Sequence, residues 1–258
     1  MERVKEILGQ WGISRVGFCT FSAVNGALID CRAKTRLPQN AKTVICAVFP
    51  YKVKNTPPAN ISRYAAIEDY HTVCGEMLQN AAEQLKTAFE GFSFEPFIDN
   101  SPINEVLALS FTGLGKVGQN GLFIDNVFGS FVFLGEIVTD LDLRVTDHAP
   151  TPCLGCGACK AKCPVGTNRE NCLSKVTQQK GNLTKEQRLL IKQNGSVWGC
   201  DVCSEVCPEN KGKALTDIKT FLETYRNSFS KNEDFARRPY LWRGEKVILR
   251  NFDIINGK

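Results

Sequence analysis

The sequence predicts an α/β domain followed by a separate cysteine-rich module, and three observations predict it. Strand-like apolar stretches alternate with segments of helical periodicity up to about residue 140. Eight of the 12 cysteines then fall between Cys153 and Cys207. Finally, 258 residues with 43% hydrophobic composition can bury a real core, whereas no apolar run approaches the ~18 residues that a membrane-crossing helix needs.

Residues 2–11 read as a helix, Arg15 to Thr20 as a strand, and Thr43 to Tyr51 as a buried β-branched strand whose exit loop carries Pro57 and Pro58. From Ile67 the apolar positions Tyr70, Cys74, Met77, Ala81, Leu85 and Phe89 recur at three- and four-residue steps. This is the stripe of an amphipathic helix, and Gly91 stops it. Phe94 to Ile98 reads as a strand, Ile103 to Phe111 as a short helix, and Leu122 to Ile124 and Phe131 to Thr139 as two more strands. The composition then changes, giving expected boundaries of 1–148, 149–212 and a basic tail at 213–258.

Cys153-Leu-Gly-Cys156-Gly-Ala-Cys159-Lys-Ala-Lys-Cys163-Pro164 has the C-x2-C-x2-C-x3-C-P spacing of bacterial two-cluster ferredoxins, in which the fourth cysteine ligates the other cluster. Cys200, Cys203 and Cys207-Pro208 form a second run. The natural pairing puts Cys153, Cys156, Cys159 and Cys207 on one [4Fe–4S] cube, and Cys163, Cys200 and Cys203 on the other. Cys172 is the only cysteine left in this stretch and completes the second set. Such a protein moves single electrons. Zinc and disulfides are the competing uses. Structural zinc usually takes two C-x2-C pairs, and four cysteines within eleven residues plus a second run exceed what one zinc can use. Disulfides need an oxidising compartment, and the charged start Met1-Glu-Arg-Val-Lys-Glu does not resemble a signal peptide, so a cytoplasmic location is expected. Cys19, Cys31, Cys46 and Cys74 are assigned no chemistry, and Cys46 reads as a small core residue.

The formal charge of +5 lies entirely in the tail, where Lys211 to Lys258 holds 11 Lys and Arg against 6 Asp and Glu. Each oxidised cube with four thiolates carries about −2, so two would bring the total to about +1, and basicity is weak support for a nucleic-acid partner. Gly113-Leu-Gly115-Lys116-Val-Gly118-Gln119-Asn120-Gly121 would let backbone amides approach a ligand. Its spacing is neither a Walker loop nor a strict dinucleotide fingerprint. With no flavin or nicotinamide motif, the two-cluster module needs another redox partner to receive its electrons.

Several motifs in one order carry a resemblance. They are Ser62-Arg63-Tyr64-Ala65, Glu68-Asp69-Tyr70-His71, Phe97-Ile98-Asp99-Asn100-Ser101-Pro102 with Glu105, the glycine segment, and Gly129-Ser130 through Gly135-Glu136 to Asp140. With the cysteine region they resemble the epoxyqueuosine reductase family across about residues 1–258. That family is similar to the reductive dehalogenases. The resemblance implies a nitroreductase-like (α+β) cobalamin-binding catalytic domain at 1–148 and a two-[4Fe–4S] ferredoxin-like module at 149–212. It also implies an oxidoreductase of tRNA processing and queuosine biosynthesis that converts epoxyqueuosine to queuosine and water. Electrons would pass through the two clusters to cobalamin from an external donor such as a ferredoxin or a flavodoxin.

Asp99 matches the family's proposed proton donor. An oxygen leaving as hydroxide needs a proton delivered in place, and a carboxyl does this near neutrality only if burial raises its pKa. The competing use of Asp99 is a helix N-cap ahead of Pro102. Arg63, Tyr64, Asp69, Tyr70 and His71 suit the edges of a corrin and the entrance for a flipped-out base, although Asp69 and Tyr70 also fit ordinary helix-start chemistry. Gly118, Asn120, Phe123, Gly129 and Ser130 are carried over as corrin-pocket positions. The chain departs from the family where Gly115-Lys116-Val117-Gly118-Gln119-Asn120 replaces the commoner Gly-Trp-Ile-Gly-Lys-Asn. Leu249 to Gly257 resembles the start of the helical-repeat domain that grips tRNA in longer members. Arg237, Arg238, Arg243, Lys246 and Arg250 could contact phosphates, or form a solvated face. Two other readings are a cobalamin and iron–sulfur reductase of a small molecule and a non-catalytic electron carrier.

Overall fold

The computed structural model describes residues 1–166 and 169–257. Thr167 and Asn168 of the cysteine module and Lys258 of the tail lie outside the described residues. The chain divides into two compact units, Met1–Pro50 with Tyr70–Gly155, and Tyr51–Asp69 with Cys156–Lys258. The strip 51–69, expected within the first domain, therefore groups with the second unit, and the tail is not a separate segment.

Unit 1 contains α1 (Glu2–Gln10), β1 (Val16–Thr20), α2 (Phe21–Asn25), β2 (Thr43–Pro50), α3 (Tyr70–Ala88), β3 (Phe94–Ile98), α4 (Glu105–Ser110), β4 (Gly115–Val117), β5 (Phe123–Asp125) and β6 (Val132–Thr139). Helix and strand alternate as expected, but pairing is antiparallel at every ladder, in the order β1-β2-β6-β3, with β4-β5 as a separate hairpin. All eight residues of β2 are buried because it is flanked on both sides and covered on both faces. Val44, Cys46 and Val48 share one apolar cluster with Ala108 and Leu109 of α4, while β6 meets α3 through Gly135. A Cβ there would stand 2.7 Å from Leu78 Cδ1 of α3, so glycine sets how closely the helix approaches the sheet. Pro96 is tolerated because β3 is an edge strand.

Unit 2 has no sheet among its described residues. Its helices are α5 (Ala158–Ala161), α6 (Leu173–Thr177), α7 (Lys185–Asn194), α8 (Val202–Glu205), α9 (Lys219–Thr224) and α10 (Glu245–Ile255). A capping box of Thr184 and Gln187 starts α7, and Gly195 at φ 63° ends it. The strip 51–69 belongs here because Ile61 bridges Trp198, Ser62 N–H donates to Trp198 O, and Val197 N–H donates to Asn60 O. Ile61, Ala65 and Ala66 enter an apolar cluster with Trp198, Phe229, Tyr240, Val247 and Ile248. The tail packs for the same reason: Val247, Ile248 and Ile254 form a buried stripe on α10, and within it the fully buried Asn251 donates to Thr177 O and Val197 O. No helix among the described residues is long and apolar enough to cross a membrane.

Candidate functional site

In unit 1 the antiparallel sheet brings the turn after β3 beside the first turn of α3. Asp99 Oδ2 lies 3.1 Å from His71 Nε2 and also accepts a hydrogen bond from Tyr70. Tyr70 is fixed by stacking on Phe133 of β6, with ring centroids 4.0 Å apart and planes 10° from parallel, and on His71. Asp99 sits at φ 58°, a left-handed conformation rare for a residue with a side chain. Its N–H donates to Glu105 Oε1 at 3.2 Å. Asp99 is not the cap of α4, because Asn104 holds that position and accepts from Leu107 N–H.

Expecting burial to raise the Asp99 pKa is incorrect. Its side chain is 61% exposed, and the hydrogen bond from His71 holds its carboxyl below the usual range despite partial desolvation. The raised acids are its neighbours. Burial pushes Glu105 up to about 8, and Glu136, in the centre of the sheet opposite Cys46, is raised further by burial and by Glu105. Ser101 Oγ donates to Glu136 Oε1. Glu105 stood in the recognised motif without a role. Glu136 was readable as a lone acid inside the apolar run Phe131 to Thr139.

Of the five residues from Arg63 to His71, Tyr70 and His71 fall in unit 1 and Arg63, Tyr64 and Asp69 in unit 2. Arg63 is 2% exposed, and its guanidinium pairs with Glu205 and donates to the carbonyls of Lys54, Asn55 and Thr56. These partners make it the knot that closes the strip 51–69. Tyr64 O–H accepts from Gln178, and Asp69 N–H donates to Arg237 O. Gly118, Asn120, Phe123, Gly129 and Ser130 surround the β4–β5 hairpin. Asn120 caps its own turn through Leu122 N–H, Phe123 is buried in the core, and Gly129 exchanges two backbone hydrogen bonds with Asp125. The same hairpin orients Cys153, whose N–H donates to Val117 O.

All eight expected cluster cysteines are free thiols. Cys172, Cys200 and Cys203 lie near enough that the other two raise the Cys200 thiol, although burial is the larger cause of its rise to about 11. Cys156 acts likewise on Cys207. Among the described residues no three His, Cys, Asp or Glu converge on one metal ion. A cube is less demanding in that respect, because each of its thiolates binds a different iron, and eight thiols are the donor set such clusters take. For a corrin the fit differs. Unit 1 has cavities of about 240 Å³, beside Phe97, Ile98 and Asn100, and about 330 Å³, beside Gly113, Gly115 and His148. Both lie at or below the small end for drug-sized ligands, so neither encloses a corrin. Tyr70 and His71, both half-buried, and the exposed Asp99 form a separate aromatic and polar face of unit 1. In the tail, Arg238 is buried and Arg250 donates to the carbonyls of Gln179 and Gly181, whereas Arg237, paired with Glu68, stays exposed.

A family profile described as epoxyqueuosine reductase QueG, DUF1730, matches residues 32–100. An epoxyqueuosine reductase of Lactococcus garvieae is 31% identical over 253 residues, covering 86% of this chain and 71% of that protein. The chain spans about half the length of other curated relatives, 48% for the one from Escherichia coli. The structure of epoxyqueuosine reductase from Streptococcus thermophilus superposes with a TM-score of 0.80 at 26% identity, over 98% of this chain and 80% of that one. The same fold, at a TM-score of 0.80 and 23% identity, occurs in a crystal structure of epoxyqueuosine reductase with an epoxyqueuosine-modified tRNA-Tyr stem loop.

Proposed function

This chain belongs to the epoxyqueuosine reductase family of oxidoreductases, and on that premise we propose that it reduces epoxyqueuosine in tRNA to queuosine. The observation that carries the reading is the meeting of Asp99, His71 and Tyr70 on one open face of unit 1. A departing epoxide oxygen needs protons there, and an imidazole hydrogen-bonded to an ionised carboxylate can deliver one near neutral pH. Asp99 orients and stabilises the protonated ring, and Tyr70, stacked on Phe133, keeps the ring in place.

The two [4Fe–4S] clusters belong to this proposal, with Cys153, Cys156, Cys159 and Cys207 on one and Cys163, Cys172, Cys200 and Cys203 on the other. The proximity of Cys172 to Cys200 and of Cys156 to Cys207 supports that division. Cobalamin, when bound, would supply the reductant at cobalt that breaks the carbon–oxygen bond, and an external one-electron donor such as a ferredoxin or flavodoxin would replenish it. A small-molecule substrate is the second reading, favoured by the internal engagement of Arg238 and Arg250. The test is anaerobic reconstitution with iron, sulfide and cobalamin, followed by nucleoside analysis of epoxyqueuosine-containing tRNA. Queuosine formation is expected. Cluster and corrin uptake without queuosine would move the substrate to a smaller molecule, and cluster uptake without corrin would leave an electron carrier.

A further inference from the structure

Converting an epoxide to an alkene and water consumes two electrons and two protons, so the site needs a proton source beyond the one held by His71. We propose that Glu105, which holds the Asp99 backbone N–H beside His71, is the proton reserve of this site and refills the His71–Asp99 pair. This inference rests on the reductase reading above. Glu105 opens α4, and the Asp99 N–H reaches its Oε1 at 3.2 Å while Asp99 keeps its left-handed backbone. The ionisable groups facing Glu105 are Asp99 from the turn after β3, His71 from α3, Glu136 from β6 and Cys46 from β2. Only His71 among them can be cationic, so a charge on Glu105 would join acidic neighbours in a largely buried place. Burial first, and then the charge of Asp99, keep Glu105 protonated up to about 8, whereas the His71 hydrogen bond keeps Asp99 ionised. Adjacent carboxyls with opposite protonation states are the usual sign of divided acid and base roles.

The departing oxygen takes one proton from the His71–Asp99 pair, the O–H bond of Glu105 breaks to restore that pair, and the restored pair gives the second proton to form water. Solvent then reprotonates Glu105, and the two electrons arrive singly from the external donor. Glu105 acts through Asp99 and His71, which makes it a positioning and supply residue.

Infrared difference spectroscopy of the purified chain, with glutamate isotopically labelled and pH raised from neutral to alkaline, reads the group directly. A protonated glutamate component that vanishes with a midpoint near 8 is expected in the unsubstituted chain and in Glu136→Gln and is expected to be missing in Glu105→Gln, where the remaining protonated glutamate is Glu136. Absence of a component titrating near 8 in Glu136→Gln, or its persistence in Glu105→Gln, overturns the proposal. Glu105→Gln keeps an oxygen for the Asp99 N–H, so it separates proton supply from positioning. With tRNA substrate, kcat is expected to drop about 100-fold, with KM little changed and the alkaline limb of the pH profile gone. An unaltered kcat and profile overturns the proposal. Absence of turnover by the unsubstituted reconstituted chain overturns the reductase reading alone, and the infrared result then decides on Glu105.

Discussion

Unit 1 is held by backbone ladders and unit 2 by buried side chains. In unit 1 the four-stranded sheet satisfies its own N–H and C=O groups, and the eight buried residues of β2 need only be apolar and correctly sized. In unit 2 the irregular backbone leaves carbonyls without ladder partners. Named polar side chains meet them: Arg63 at 54–56, Asn251 at Thr177 and Val197, and Asn210 at Ser204. Gly199, at φ 72° against Ser62, is similarly irreplaceable. A repetitive scaffold tolerates substitution by volume, whereas a looped one depends on individual donors. The titrating face of Tyr70, His71 and Asp99 sits on the first, and seven of the eight clustered thiols, all but Cys153, on the second.

The sharpest way to break this contrast is Cys203→Ser. We expect loss of about half the iron and of all turnover, with unit 1 intact, read by iron analysis and by amide exchange of β2 and β6. Loss of protection in β2 would show that the sheet depends on the cluster module. Next comes Arg63→Met, which strands Glu205 and three carbonyls and should cost about 3 kcal/mol. Amides of 51–69 and 202–206 should exchange faster while those of β2 keep their rates, and an equal acceleration in both would erase the distinction. Asp99→Asn should lower turnover about 100-fold while altering unfolding midpoints by less than about 0.5 kcal/mol, because the side chain is exposed. A large stability loss would turn Asp99 into a structural residue. The smallest effect is in pH dependence. The folded pKa of Glu105 lies above its unfolded value of about 4.3, so its favourable contribution is complete below that value and fades as pH rises to about 8. Glu105→Gln should flatten the stability–pH curve over that window, and a curve that keeps its slope would assign the titration to another group.

The regular unit was the legible one. β3 was readable to the residue, and β2 and α3 within three, because periodicity and β-branching report local burial directly. Antiparallel pairing was not readable, since alternation of helix and strand does not reveal how β6 inserts between β2 and β3. The thiol positions were legible through spacing alone. The burial of Arg63 was not readable, because a buried guanidinium and an exposed one look alike in sequence, and only the carbonyls of 54–56 distinguish them. The lowered pKa of Asp99 was not readable, because it depends on His71, 28 positions away. Glu136 announced itself as an acid in an apolar strand, a signal that asks for a partner without naming it.

The bridge between Ile61 and Trp198 also orders events at the ribosome. Trp198 is translated about 140 residues after Ile61, a delay on the order of ten seconds at ordinary synthesis rates. During that interval β2 and β6 can close around an unattached peptide whose Pro57 and Pro58 stiffen it against mispairing. The strip 51–69 therefore waits for the segment that binds it while the strands on either side of it are already made.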